Sequence, residues 1–357
     1  MSDFKKRLKD RIGLGKAESE NRDADDQPSG GAEPQQGNKM KELREELRQV
    51  RGEFRQANRK LNKQEREISG LRAMLEKRDA GDREAGIPPE NIVWVFGSGR
   101  TGSSWTTFMM GSLPDHSRWN EPLVGNLFGN LYSKRAEHRQ DTSHFILGDH
   151  HRRTWMKSIR NFLLEGAAAR FPERAADGYL VIKEPHGALG APLLMEALPE
   201  SRMIFLVRDP RDVISSKRDA HSPGSWGAVT KSHEKLSDDE IVERIAGTYL
   251  RDIKFAKEAY DAHEGRKAFV RYEDLRVDAP GVMRRIYSEI GIPVAEEDLA
   301  RVVEKYAWEN IPEEEKGEGK IRRKAKPGGW SEDLTPEQVK IAEKETAWIF
   351  DEFYAEG

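Results

Sequence analysis

Residues 91–105, NIVWVFGSGRTGSSW, join a short apolar run to a glycine-rich turn. Ile92 to Phe96 is β-branched and aromatic and stops at Gly97, so its length and its stop predict a buried strand rather than a helix. The turn that follows reads as a phosphate cradle. Gly97, Gly99 and Gly102 free the backbone to point N–H groups inward, and Thr101, Ser103 and Ser104 add hydroxyl donors. A helix beginning near Ser103 would offer an anion its positive end. Arg100 is the only full charge in the turn.

Two phosphate sites share part of this spelling. The three glycines satisfy G-x-G-x-x-G after a strand, the dinucleotide fingerprint, and Glu121 falls about twenty residues on. That acid precedes Pro122, however, and follows no convincing second strand. Gly97 to Ser104 also has P-loop spacing, but Ser103 stands where the P-loop needs the lysine that reaches β- and γ-phosphates. A nucleoside triphosphatase is a poor reading.

Composition bounds the rest. The 357 residues allow one large α/β domain with an appendage, or two domains. Hydrophobic content of 36% against 34% charged implies that part of the chain stays outside a core. A net charge of -3 gives no sign of a nucleic-acid partner. The absence of cysteine excludes disulfides, thiolate catalysis and Cys-ligated zinc. No apolar run reaches membrane-spanning length and the N-terminus has no signal-peptide core, so a soluble, cytoplasmic protein is expected.

Residues 1–16 place Phe4, Leu8 and Ile12 on one helical face among basic residues, a pattern suited to peripheral contact with an anionic membrane or to a solvated tail. Residues 17–38 turn acidic and rich in Gly, Pro, Gln and Ser, as a disordered linker does. From Met40, through Leu43, Leu47, Val50, Phe54, Ala57, Leu61, Gln64, Ile68 and Leu71 to Leu75, seam residues recur at alternating spacings of three and four. All but Gln64 are apolar and most intervening residues are charged, which is a coiled-coil seam. Such a helix, about 50 Å long, cannot bury its seam alone and implies a homo-oligomer. The organisation read is therefore 1–38 basic N-terminus and linker, 39–79 coiled coil, 80–90 linker and 91–357 catalytic domain.

Further strands are predicted at Tyr179–Ile182, Met203–Val207 and Ala268–Arg271, with helices over 236–263 and 280–291. Asp209 can cap a helix whose first residue is Pro210, which puts Arg208 at a strand's C-terminal end, where open α/β sheets bind ligands. Asp212 and Ser216 then share one helical face. Thr335, Pro336 and Gln338 spell a capping box for a final helix. Residues 124–173 give no clear element.

Four separated segments together resemble the sulfotransferase family, which uses 3'-phosphoadenosine-5'-phosphosulfate (PAPS). Arg100, Thr101, Gly102, Ser103, Ser104 and Trp105 resemble its 5'-phosphosulfate loop, and Arg208 with Ser216 its 3'-phosphate site. Tyr272, in YEDL, resembles the tyrosine near adenine. Arg323, Lys324 and Ala325, followed by Gly328, Gly329 and Trp330, resemble the R-K-G-x-x-G-D-W segment that closes on the 3'-phosphate. The resemblance covers about residues 91–355 and leaves the first 90 outside. It implies a three-layer α/β fold, a parallel sheet flanked by helices with a P-loop-like loop, here preceded by a long coiled-coil helix.

It also implies in-line transfer of a sulfuryl group from PAPS as co-substrate to an acceptor hydroxyl, with no metal required. Arg100 and the loop serines would hold the 5'-phosphate, and Lys183 would reach the sulfuryl oxygens. Arg100 replaces the lysine of the cytosolic branch, as in carbohydrate and tyrosylprotein branches. Pro185 stands where cytosolic relatives carry a histidine, with His186 one residue late. Glu121 is the preferred base because NEPL resembles the F-E-P-L segment of the carbohydrate branch; His186 and Glu184 are the alternatives. Trp105 and Trp308 are candidates to stack on adenine. A saccharide or glycolipid hydroxyl is the expected acceptor, within a wider range of small molecules and lipids. A coiled-coil scaffold that has lost catalysis and an NAD-dependent dehydrogenase are the competing readings.

Overall fold

In the computed structural model of the chain, residues 45, 48–65, 68–70, 87–134, 144–174, 178–221, 236–317, 320 and 322–355 are described. The basic segment 1–16, the linker 17–38 and the seam positions Met40, Leu43, Leu47, Leu71 and Leu75 lie outside them. The chain divides into two units, Met1–Lys77 and Arg78–Gly357. In the first, helix α1 spans residues 48–65. No helix among the described residues is long and apolar enough to cross a membrane.

The second unit is built on one parallel sheet. Strands β1 (Ile92–Phe96), β2 (His116–Asn120), β3 (Tyr179–Lys183), β4 (Arg202–Val207) and β5 (Lys267–Arg271) lie in the order β2-β3-β1-β4-β5. β1 pairs in parallel with β3 (Val95 opposite Lys183) and with β4 (Phe96 opposite Phe205). Alternation along β1 separates two cores. Ile92, Trp94 and Phe96 join Trp155, Ile159 and Tyr249 on one face, while Val93 and Val95 join Met109, Ile286 and Tyr287 on the other. With helices over both faces, the central strand is buried along its whole length, which is why it reads as an unbroken apolar run.

Helix α2 (Ser103–Met110) follows β1, α3 (Val124–Lys134) follows β2, and α4 (Arg152–Arg170) precedes β3. After β3 come α5 (Ala191–Ala197), α6 (Pro210–His221) beyond β4, and α7 (Asp238–Ala262) before β5. The C-terminal part holds α8 (Tyr272–Val277), α9 (Ala279–Ile290), α10 (Glu296–Lys305), α11 (Pro336–Glu345) and α12 (Ala347–Phe353). The chain builds one side of β1 with β2 and β3, then the other with β4 and β5. The C-terminal end of β1 is thus a topological switch point, where a crevice opens.

The predicted strands and the capping box at Thr335 occur, with boundary shifts of a residue or two, and a second capping box, at Ser237, opens α7. Three features depart from the sequence reading. His116–Asn120 is a strand although its residues are mostly polar, because an edge strand with one neighbour needs no buried apolar run. Residues 124–173, which gave no clear element, contain α3 and α4. Ile87, within the stretch read as linker, is buried in the core.

Helix α3 crosses the Pro185–Gly190 turn through glycine-to-glycine contact. A Cβ at Gly129 would meet the Gly190 nitrogen at 2.5 Å, and one at Gly125 would overlap the Gly187 carbonyl. Both flanks of the crevice, the segment with Glu121 and the turn with His186, depend on this approach. Gly129→Ala is expected to destabilise the unit by about 1–3 kcal/mol, as overpacking against immovable backbone does, read as a fall of several degrees in the thermal midpoint. An unchanged midpoint would show that the helix can shift without cost.

Candidate functional site

A cavity of about 630 Å³ opens at the C-terminal ends of the strands, lined from every one of them. The turn after β1 contributes Gly99, Arg100, Gly102, Ser103, Ser104 and Trp105. β2 leads to Glu121, β3 ends at Lys183, β4 leads to Arg208, and β5 leads to Tyr272. Ser216, Trp308, Arg323, Lys324 and Ala325 complete the wall. Thr101 and the alternative base Glu184 do not line it; the buried Thr101 hydroxyl donates to Ser98 O at 2.7 Å and braces the turn.

The turn is tight enough to strain its own backbone. Arg100 has φ +73° and Gly102 φ +89°. A Cβ at residue 102 would meet Tyr272 Cδ2 at 2.5 Å, so the glycine allows the aromatic ring to close on the loop. Ser103 then opens α2, whose first residues Ser103 and Ser104 line the cavity, and no side chain caps that helix end.

Three guanidiniums surround the loop. Arg100 Nε donates to Ser216 Oγ at 2.8 Å, and its pKa is pushed down to about 10 by burial first and by Arg208 second. It therefore stays cationic at neutral pH while being costly to leave without an anion. Arg208 Nη1 donates to Arg100 O at 3.1 Å, Arg208 lies 4.3 Å from the Tyr272 ring centroid, and Nη2 is 3.5 Å from Asp212. Arg323 donates to Ser215 Oγ at 2.8 Å and is paired with Asp333. The buried Nε atoms of Arg208 and Arg323 have no hydrogen-bond partner among the described residues. Burial of unsatisfied cationic donors costs stability unless a ligand supplies acceptors. Phosphate oxygens have that chemistry, so the donor set fits a bisphosphate nucleotide.

Asp212, on α6, ties the C-terminal segment to this wall. Its carboxylate accepts from Gly328 N at 2.9 Å and Trp330 N at 3.1 Å. Arg211 stacks 4.2 Å from the Trp330 ring. Lys324 pairs with Glu332 and Asp333, both at 2.9 Å. Ala325 has φ +49°, a left-handed conformation that explains why glycine suits this position in the resembling motif. Sequence reasoning had placed Asp212 on the right helical face without a role; its spacing of four from Arg208 was the available signal.

The opposite end of the cavity holds Glu121, Lys183 and His186. Lys183 is buried and directly ion-paired with Glu121. His186 Nε2 lies 3.9 Å from the other Glu121 oxygen. The His186 ring covers Gly99, where a Cβ would meet Cε1 at 2.9 Å. Burial lowers the pKa of Lys183 against the opposing pull of Glu121, and burial likewise lowers that of His186. Glu121 also donates its backbone N–H to Lys183 O at 2.8 Å, and its φ of +50° turns the chain sharply out of the sheet.

Glu121 does not cap α3; Glu184 does. The fully buried Glu184 carboxylate accepts from Leu123 N and Gly125 N, each at 3.1 Å. The side chain adjacent to Lys183 in sequence points to the far side of the strand end, so it reaches the helix terminus rather than the cavity. Trp105 Nε1 donates to Tyr306 O at 2.8 Å and its ring is edge-on to Tyr272 at 6.3 Å. Beneath the loop, Lys217 Nζ donates to Ser98 Oγ at 2.8 Å and Ser98 Oγ donates to Asp252 at 2.9 Å, a buried network that sequence reading missed.

The profile of the Sulfotransferase family matches residues 93–296, more than half of the chain, and the chain belongs to that family. Over 116 residues it is 26% identical to the omega-hydroxy-beta-dihydromenaquinone-9 sulfotransferase Stf3 of Mycobacterium tuberculosis, covering 32% of this chain and 29% of that protein. Over 171 residues it is 28% identical to cytosolic sulfotransferase 17 of Arabidopsis thaliana, covering 40% of this chain and 49% of that one. The chain thus spans less than a third of the first relative and about half of the second. Among solved structures, sulfotransferase STF9 of Mycobacterium avium is similar with a TM-score of 0.48 and 15% identity, over 75% of this chain and 78% of that one.

Burial raises the Glu184 pKa from 4.5 to about 7, outweighing the two backbone hydrogen bonds that favour its anion. The folded chain therefore holds a proton that the unfolded chain releases. Its contribution to stability is full below about pH 4.5 and is lost as pH rises through about 7. Glu184→Gln is expected to flatten the stability profile across that window, measured by chemical denaturation at a series of pH values. A slope unchanged in the variant would assign the proton to another group.

Proposed function

We propose that this protein transfers the sulfuryl group of PAPS to an acceptor hydroxyl, with Glu121 as the base. The observation that carries this reading is the meeting of Arg100, Arg208 and Arg323 with Lys183 and Glu121 around one cavity. Two anion sites and a carboxylate then lie within reach of a single bound molecule.

PAPS supplies an electrophilic sulfur and a 3',5'-bisphosphate leaving group. Ser103, Ser104, Arg100 and the α2 N-terminus hold the 5' side; Arg208, Ser216, Arg323 and Lys324 hold the 3'-phosphate; Trp105, Tyr272 and Trp308 offer aromatic faces to the adenine. Fixed cations of this kind lower the barrier by meeting charge as it develops, without reorganising. Lys183 is shared between Glu121 and the sulfuryl position. When Lys183 turns to the sulfuryl oxygens it frees the Glu121 carboxylate, which takes the proton of the acceptor hydroxyl. His186, beside Glu121, orients the acceptor and accepts the proton less directly.

The acceptor is a saccharide or glycolipid hydroxyl, a reading supported by Arg100 and the NEPL segment. The seam of α1 joins copies of the chain into a homo-oligomer, and the basic segment 1–16 favours an anionic membrane surface in a cytoplasmic setting.

Incubation of the full chain with radiolabelled PAPS and panels of sugars, glycolipids, phenols and peptides is expected to label the sugar-bearing acceptors. Glu121→Gln should lower kcat by about 10²–10⁴-fold, the usual worth of a general base, while leaving binding of the bisphosphate product within a few fold. Absence of both transfer and bisphosphate binding would overturn the enzyme reading; full activity in Glu121→Gln would remove the base alone.

A further inference from the structure

Helix α1 and the helical residues 68–70 after it carry an apolar stripe in the open. Val50, Phe54, Leu61 and Ile68 are 58%, 59%, 50% and 50% exposed, and all belong to the repeat of alternating threes and fours. Full burial of each such side chain is worth about 1.5–3 kcal/mol, and a lone helix of this length is marginal in water, the more so with Gly52 inside it. The stripe needs a partner, and its sequence specifies which.

In heptad terms Leu47, Phe54, Leu61 and Ile68 are a positions, and Val50, Ala57, Gln64 and Leu71 are d positions. The flanking g positions are Glu46, Glu53, Lys60 and Glu67; the e positions are Arg51, Asn58, Glu65 and Arg72. When two such helices run parallel and in register, each g residue faces the e residue five positions on in the other copy. That gives Glu46–Arg51, Lys60–Glu65 and Glu67–Arg72 as opposite charges and Glu53–Asn58 as a neutral contact. Only Lys39 with Arg44, at the N-terminal edge of the seam, is alike in sign. Antiparallel pairing with full overlap sets g against g and e against e, which opposes Glu46 to Glu67, leaves Arg51 with Asn58 and keeps two opposite-charge pairs, Glu53–Lys60 and Arg44–Glu65, against three in the parallel register.

Gln64 decides the matter independently of charge. In the parallel register the d layer places Gln64 against Gln64 of the other copy, where two amides can hydrogen-bond to each other. In the antiparallel register an a residue meets a d residue, and Gln64 would face Leu47, leaving a buried amide without a partner at about 1–3 kcal/mol for each unsatisfied group. We propose that α1 pairs with α1 of a second copy as a parallel, in-register coiled coil, with Gln64 as the register-fixing layer. This orientation rests on the assembly stated above.

The chain has no cysteine, so single cysteines report the geometry directly. In the full chain, Val50→Cys is expected to oxidise to a covalent dimer in high yield, because d positions of a parallel in-register pair meet themselves within disulfide reach. A mixture of Val50→Cys and Leu61→Cys chains should give no excess of the mixed dimer. Light scattering of the reduced wild-type chain should return the mass of two or more copies. Lys60→Glu should lower the oligomer's melting temperature, and adding Glu65→Lys should restore it.

A monomer by light scattering overturns the assembly and the orientation together. An oligomer that forms the mixed Val50–Leu61 dimer and not the Val50 self-dimer overturns the orientation while the assembly stands. An oligomer that forms neither overturns α1 as the interface. Failure of Glu65→Lys to restore the melting temperature of Lys60→Glu overturns the parallel charge register.

Discussion

The Arg208 guanidinium is the contact on which the cavity depends. It lies over Tyr272, donates to the carbonyl of Arg100, and faces Asp212, whose carboxylate in turn holds the backbone of Gly328 and Trp330. The Arg208 backbone is itself fixed by the buried Tyr249 hydroxyl, which accepts from its N–H at 3.1 Å and donates to its carbonyl at 2.6 Å. One residue thus couples the β1 turn, the β5 aromatic and the C-terminal segment. A cation so placed is expensive to bury, and the surrounding acceptors satisfy it only in part. Its buried Nε has no hydrogen-bond partner among the described residues.

A second coupling sets the chemistry at the other end. Lys183 and Glu121 neutralise each other while His186 stands at longer range. Their positions follow from strained backbone at Glu121 and Leu123, both at positive φ, held by the Glu184 carboxylate beneath. Strain of this kind persists only where neighbouring structure over-determines it. Here the neighbours are a buried carboxyl and two glycine-to-glycine contacts, which leave α3 little freedom to slide. Glu121 is therefore carried on a loop but positioned by rigid elements.

The α1 unit follows a different logic from the catalytic unit. Its apolar residues point outward and its information lies in charge order and in one polar layer, whereas the sheet's information lies in alternation between two cores. The pairing proposed for it rests on the same hydrophobic arithmetic that folds the sheet.

The sequence by itself determined four of the five strands, the glycine-rich turn after β1 and most of the cavity wall. Buried parallel strands are apolar throughout, and a glycine-rich turn with hydroxyls has few other uses, so both are visible locally. It also placed Asp212 and Ser216 on one face of α6, where both line the cavity, because helical spacing is a local property. Only the tertiary structure decided which carboxylate does what. Glu121 and Glu184 look alike in sequence, each beside a proline. The direction of each side chain depends on strand register and on the left-handed turn at Glu121, neither of which a local pattern encodes. The direction of the Thr101 hydroxyl is set the same way: in a tight turn it can face a ligand or its own backbone, and here it donates to Ser98 O. The edge strand His116–Asn120 and the helices after it stayed hidden because elements held by one neighbour, or by glycine contacts, need no apolar signature of their own.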